Sequence, residues 1–243
     1  MKHALVTGAS TGIGRAIAIA LAKEGIFVLI TARNKENLEE TKKLIEEVKG
    51  KADIIIADLA NKDSLDKLIS EIKTKTTSLD MLVNVAGIWH GNNEVFANKD
   101  FTSFSTQVVL DTFNVGIIAP VLLTHGLVPL MPENGKIVNI SGTFENGAKG
   151  WLPYYVSKRA IEDLTIGLSQ ELSDKKIQVN CISPSDTATE QYRKYFPQYI
   201  SDAIDPEEIA KEVVHLCSDR ANNITGKVFV IKKGKEPFES FHF

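Results

Sequence analysis

Ala4-Leu5-Val6-Thr7 runs straight into Gly8-Ala9-Ser10-Thr11-Gly12-Ile13-Gly14, and beyond it Ile13, Ile17, Ala20 and Leu21 recur on one helical face. The order is apolar strand, glycine-rich turn, helix. In such a unit the N–H groups of the turn and the helix N-terminus point at a diphosphate, and glycine admits a backbone approach that a Cβ would block. The spacing is G-x-x-x-G-x-G, not the commoner G-x-G-x-x-G dinucleotide fingerprint. Three glycines also make ordinary turns, but their place directly behind the first strand favours the phosphate-binding reading.

The alternation continues along the chain. Short, mostly β-branched apolar runs lie at 4–7, 27–31, 54–57, 81–85, 136–140, 178–182 and 228–231. Consecutive apolar residues of this kind suit parallel strands covered on both faces. Helix-period segments separate them: Ile161, Leu164, Leu168 and Leu172 share a face, and Asp205-Pro206-Glu207-Glu208 is a helix start with a capping acid. About seven strands and six helices predict an α/β doubly wound parallel sheet with helices on both faces. With no Pro/Ser-rich linker, residues 1–243 read as one domain, and the aperiodic stretch 184–204 reads as a lid over the site.

The 243 residues carry 28 Lys+Arg against 31 Asp+Glu, a formal charge of −3, with 43% apolar residues. That balance gives no electrostatic footprint for nucleic acid. Ile117–Met131 is the most apolar long stretch, but Pro120, His125 and Pro129 argue against a membrane span. Cys181 and Cys217 lack metal or redox spacing, so no metal is expected and both read as small buried residues. Two cysteines, and a strand beginning at once with no room for a signal peptide, predict a cytoplasmic protein.

The glycine turn resembles the cofactor motif of the short-chain dehydrogenase/reductase family. Asn84-Val85-Ala86-Gly87 resembles the family's N-N-A-G, with Val85 in place of the second Asn, and Tyr154-Tyr155-Val156-Ser157-Lys158 contains its Y-x-x-x-K. Asn114 stands where the family's helix Asn is expected, and the likeness runs from residue 4 to about 226. The resemblance implies a Rossmann-type fold, a nicotinamide cofactor, hydride transfer at a carbonyl carbon and a homotetramer. It assigns Gly8, Ser10, Thr11, Gly12, Ile13 and Gly14 to the diphosphate, Asp58 and Leu59 to the adenine, and Asn84, Ala86 and Gly87 to the adenosine side. Pro184 and a threonine, Thr189 or Thr187, are assigned to the nicotinamide carboxamide.

Ala32 falls where NAD users of the family carry Asp, and Arg33 follows it. A carboxylate there would repel a 2′-phosphate, whereas a guanidinium fork binds it. NADP is therefore favoured, with NAD the alternative.

Carbonyl reduction needs a proton donor for the developing oxyanion and a charge to stabilise it. Tyr154 and Lys158, four residues apart on a helix, share one face, and a nearby ammonium favours tyrosinate. Tyr155 lacks such a lysine, its +4 partner being Arg159. By the resemblance Lys158 also holds the nicotinamide ribose and Asn114 supports a water in the proton relay. The supporting hydroxyl is open: Ser141 has the right spacing to Tyr154, but alignment on the strand puts Gly142 in the catalytic place, and Thr143 is next. Ser141 is preferred.

Trp89, Phe144, Trp151, Tyr155 and Tyr192 lie near pocket-bordering segments and suggest an apolar or ring-bearing carbonyl or alcohol substrate. Lys232-Lys233-Gly234-Lys235 reads as a solvated basic tail. A cofactor-binding regulatory protein without turnover is the competing function.

Overall fold

The computed structural model describes residues 1–91 and 93–243. Its centre is one sheet of strands β1 (His3–Thr7), β2 (Phe27–Ala32), β3 (Lys51–Ile56), β4 (Met81–Asn84), β5 (Lys136–Ile140), β6 (Gln178–Pro184), β7 (Lys227–Ile231) and β8 (Phe238–Glu239). The spatial order is β3-β2-β1-β4-β5-β6-β7-β8, parallel from β3 to β7, with β8 antiparallel on β7. Strand order reverses between β1 and β4, and the crevice beyond the carboxyl ends of strands at such a reversal is where doubly wound sheets bind ligands. The glycine turn leaves β1 at that point.

Alternation along each strand feeds two cores. Val6, Val28 and Val83 pack on one side with Ile17 and Leu21 of α1 (Gly12–Lys23) and Ile209 and Val213 of the late helix 206–217. Leu5, Leu29 and Leu82 pack on the other side with Leu68 and Ile72 of the helix 62–75, and with Leu123 and Leu127. Remaining helices are α2 (Lys35–Glu47), α3 (Lys62–Lys75), α4 (Thr106–Phe113), α5 (Ala119–Leu127), α6 (Leu152–Glu171), α7 (Glu190–Tyr195) and α8 (Pro206–Cys217).

Four expectations change. First, β3 begins at Lys51, three residues before the apolar run, because its outer positions are solvent-facing. Second, Pro120 does not interrupt the 117–131 segment. It sits in the first turn of α5, just behind a π-helical turn at Asn114–Ile118, and Thr106–Leu130 runs through it as one 25-residue helical stretch long and apolar enough to cross a membrane. In this structure one face of it lies in the second core. Third, Asp205 precedes α8 without a side-chain capping bond. Fourth, the basic stretch is exposed at residues 233–235 as expected but is not a loose end: Lys232 pairs with Glu145, Lys233 donates to the Ser201 carbonyl, and the chain returns as β8.

Candidate active site

The glycine turn is shaped by three different constraints. Gly8 and Gly12 have φ of +64° and +55°, the left-handed region that a side chain disfavours. A Cβ on Gly14 would fall inside the van der Waals shell of the Gly8 carbonyl, so the helix can start against its own turn only with glycine there. Thr7 Oγ1 accepts from Val85 N (2.9 Å) and Ala86 N (3.2 Å), joining the ends of β1 and β4 across the reversal. Arg15 locks the turn from behind, donating to the Ser10 carbonyl (2.6 Å) and to Thr41 Oγ1 (3.1 Å). Thr11 precedes α1 without a side-chain capping bond, leaving the first-turn N–H groups to the crevice. This cradle fits a dinucleotide diphosphate. Gly14→Ala should lower the melting temperature and abolish dinucleotide retention, the overpacking alone costing about 1–3 kcal/mol; calorimetric titration with the dinucleotide and a thermal melt check it.

The other expected ligand residues surround this turn. Arg33 is exposed at the end of β2, and Asn34 beside it caps α2 by accepting from Asn37 N at 2.7 Å. Asp58 Oδ1 accepts from Ala60 N at 3.0 Å, and Leu59 is buried. Asn84 Nδ2 donates to Asn139 Oδ1 (2.8 Å) on the neighbouring strand, and Asn139 Nδ2 donates to Thr165 Oγ1 (2.9 Å). Asn84 Oδ1 is buried with no partner among the described residues. Ala86 lies against Gly8, where a Cβ on Gly8 would come within 3.0 Å of the Ala86 Cα. Pro184 ends β6, Thr187 Oγ1 donates to the Ser185 carbonyl, and Thr189 caps α7. A Cβ on Gly12 would lie 2.9 Å from the Thr189 methyl, so the 184–204 segment folds down onto the glycine turn.

Tyr154, Lys158 and Gly87 meet above the ends of β4 and β5. A Cβ on Gly87 would stand 3.2 Å from Lys158 Nζ and 3.4 Å from Tyr154 Cε2. Lys158 Nζ lies 5.3 Å from the Tyr154 ring centre and donates to the Ile140 carbonyl at 2.8 Å. Burial lowers the Lys158 ammonium to about 8, against smaller opposing effects of Cys181 and Glu162. Burial pushes the Tyr154 phenol up. Asn114 opens a π-helical turn, Asn114–Ile118, between α4 and α5, and donates to the Ala60 carbonyl at 3.2 Å. Such turns concentrate at functional sites. Two residues on, a Cβ at Gly116 would lie 2.7 Å from the Ser157 Cβ, so this turn presses directly on α6 beside Lys158.

Ser141 departs from expectation. It is buried, and its Oγ donates to Glu162 Oε1 at 2.8 Å. Ser141 N and Thr143 N continue the β6 ladder to the Ile182 and Pro184 carbonyls, so alternation turns Gly142 to the opposite face. A Cβ on Gly142 would meet only Phe144 Cε2 and the Pro184 carbonyl, both at 3.9 Å. The hydroxyl of Ser141 is thus committed to α6, and the place opposite is glycine.

A family model for short chain dehydrogenases matches residues 2–199. The chain belongs to the short-chain dehydrogenase family. A curated relative, the 3-oxoacyl-[acyl-carrier-protein] reductase FabG of Thermotoga maritima, is 30% identical, the match covering 96% of this chain and 97% of that protein. Among solved structures, the angucycline C-6 ketoreductase LanV with bound NADP superposes with a TM-score of 0.84 at 28% identity, over 94% of this chain and 93% of its own. A short chain dehydrogenase from Burkholderia cenocepacia in complex with NADP gives 0.85 at 27%, over 96% and 97%.

As a short-chain dehydrogenase, the chain roofs its crevice with rings. Trp89 lies 6.1 Å from Tyr195 and 6.2 Å from Phe196, Trp151 lies 5.9 Å from Phe196 and 6.3 Å from Tyr154, and Tyr192 lies 5.2 Å from Phe196. Phe196, the hub of this cluster, was not anticipated, because a lone Phe in an aperiodic stretch carries no pattern. Thr7 and Arg15 were also missed as structural members of the site. Thr7 opens the turn motif and Arg15 follows it directly, but their partners at Val85 and Thr41 are remote in sequence.

Proposed function

We propose that this protein transfers a hydride between NADP(H) and a carbonyl/alcohol pair. The observation that carries the proposal is the convergence of Tyr154, Lys158 and Gly87 above the strand reversal, beside a turn shaped for a diphosphate. The nicotinamide, when bound, supplies or accepts the hydride. Gly8 to Gly14 would hold the diphosphate, Arg33 the 2′-phosphate, and Lys158 the ribose hydroxyls. The LanV and Burkholderia structures hold NADP, and the absence of an acid at Ala32 supports the same cofactor here.

Tyr154 is the proton donor to the developing alkoxide. Its raised phenol keeps the proton until an oxyanion forms next to it. The hydrogen bond of Lys158 Nζ to the Ile140 carbonyl holds this group beside the phenol ring, where its ammonium form stabilises the developing negative charge. By its likeness to the family's helix Asn, Asn114 would support a water that relays protons to Lys158, and the π-helical turn it opens presses on α6 at Ser157, next to Lys158.

Ser141 is outside this chemistry. Ser141→Ala should leave kcat within about threefold, where deletion of an oxyanion-stabilising donor costs about 10²–10³. It should still lower stability by roughly 1–3 kcal/mol, because Glu162 loses a buried partner. Steady-state rates and denaturant titration check both. The overall test is NADPH oxidation followed at its absorbance band with phenanthrenequinone and a panel of ketones and aldehydes. Turnover abolished by Tyr154→Phe is expected; binding of NADPH with no turnover on any acceptor would favour the regulatory-protein reading.

A further inference from the structure

The segment Phe238–Phe243 is tied to the catalytic helix by a buried charge. After β8, Ser240 N donates to the Val228 carbonyl, and His242 N donates to Glu162 Oε2 at 2.8 Å. Glu162 is fully buried on α6, and its other oxygen accepts from Ser141 Oγ at 2.8 Å. Arg159, one turn earlier, places Nη1 3.4 Å from Glu162 Oε2 and donates through Nη2 to the Phe243 carbonyl oxygen at 2.6 Å. That same Phe243 oxygen accepts from Phe144 N at 3.2 Å. The Arg159 guanidinium stands 5.5 Å from the Phe144 ring and 5.2 Å from that of Tyr155. Phe144 meets Tyr154 edge-on at 6.0 Å.

A buried carboxylate is costly unless it is paired and fully hydrogen-bonded. Here its partners come from the end of β5, from α6 and from a segment 80 residues further along the chain. Removing the segment strips one donor from Glu162 and one acceptor from each of Arg159 and Phe144. Phe144 belongs to the loop between β5 and α6, residues 141–151, which begins with the strand-end residues Ser141, Gly142 and Thr143 and brings the Phe144 ring to Tyr154.

We propose that Glu162 and Arg159 are positioning residues that latch Phe238–Phe243 onto the β5–α6 loop, and so hold Phe144 as the pocket wall beside Tyr154. That this wall contacts a carbonyl substrate rests on the oxidoreductase reading above; the latching itself does not.

The experiment compares the full chain with a chain ended after Pro237 and with Arg159→Lys. The lysine variant keeps the charge facing Glu162 but loses the fork that reaches Phe243 at the same time. Amide hydrogen exchange should rise about tenfold or more across residues 142–151 in both, with residues 8–23 unchanged. With NADPH and phenanthrenequinone, KM for the quinone should rise about fivefold or more, while the dissociation constant for NADPH stays within about twofold. Exchange that is unaltered at 142–151, or that rises equally along the chain, overturns the proposal. If the full chain reduces no quinone, the oxidoreductase reading fails alone and the exchange result still decides the latch.

Discussion

Tyr154→Phe is expected to lose roughly 10²–10⁴-fold in kcat while binding NADPH as the wild-type chain does. Phenylalanine keeps the ring that packs against Trp151 and Phe144, at 6.3 and 6.0 Å, and removes only the hydroxyl. Tyr155→Phe is the control. Tyr155 meets Phe144 edge-on at 5.1 Å and has the Arg159 guanidinium 5.2 Å from its ring, with no lysine one turn onward, so its substitution should cost at most a few-fold. Equal loss in the two variants, or a greater loss at Tyr155, would show that the proton donor has been misassigned. Fluorescence titration with NADPH separates a dead site from an unfolded chain.

Arg33→Ala is expected to weaken NADPH by about 1.5–3 kcal/mol, the range for a hydrogen bond to a charged group, and to leave NADH nearly unchanged. That is about ten- to 150-fold in Kd. The asymmetry follows from chemistry: only NADPH carries the 2′-phosphate that a guanidinium at the end of β2 can grip. Parallel titrations with the two dinucleotides check it, and equal weakening would remove Arg33 from cofactor selection. Salt supplies a second readout, because Arg33 is exposed and its attraction for the phosphate should fall as ionic strength rises.

Much of the site is legible along the chain because its signals are local. Tyr154 and Lys158 share a face by helical spacing alone, and Gly8, Gly12 and Gly14 mark a turn between an apolar run and an amphipathic helix. Ser141 is the opposite case. Its spacing to Tyr154 is right, yet one position along a strand reverses the side chain, and the ladder to Ile182 and Pro184 fixes it towards Glu162. The rings at Trp89, Trp151 and Tyr192 read as pocket-bordering in the sequence, whereas in the structure each of them meets Phe196.

By itself, the sequence determined the alternation of strands and helices, the diphosphate turn and the Tyr154/Lys158 pair, since each depends on residues within a few positions of one another. Tertiary structure alone decided the fate of the basic tail and the use of Ser141. Lys232-Lys233-Gly234-Lys235 has the composition of a solvated end, and nothing near it signals a return strand. The return depends on Phe229 and Val230 offering an open sheet edge and on buried Glu162, which accepts a further hydrogen bond from His242 N beside those of Ser141 and Arg159. A buried carboxylate draws its hydrogen-bond donors from wherever the chain can bring them, because each donor it lacks raises the cost of keeping its charge out of water.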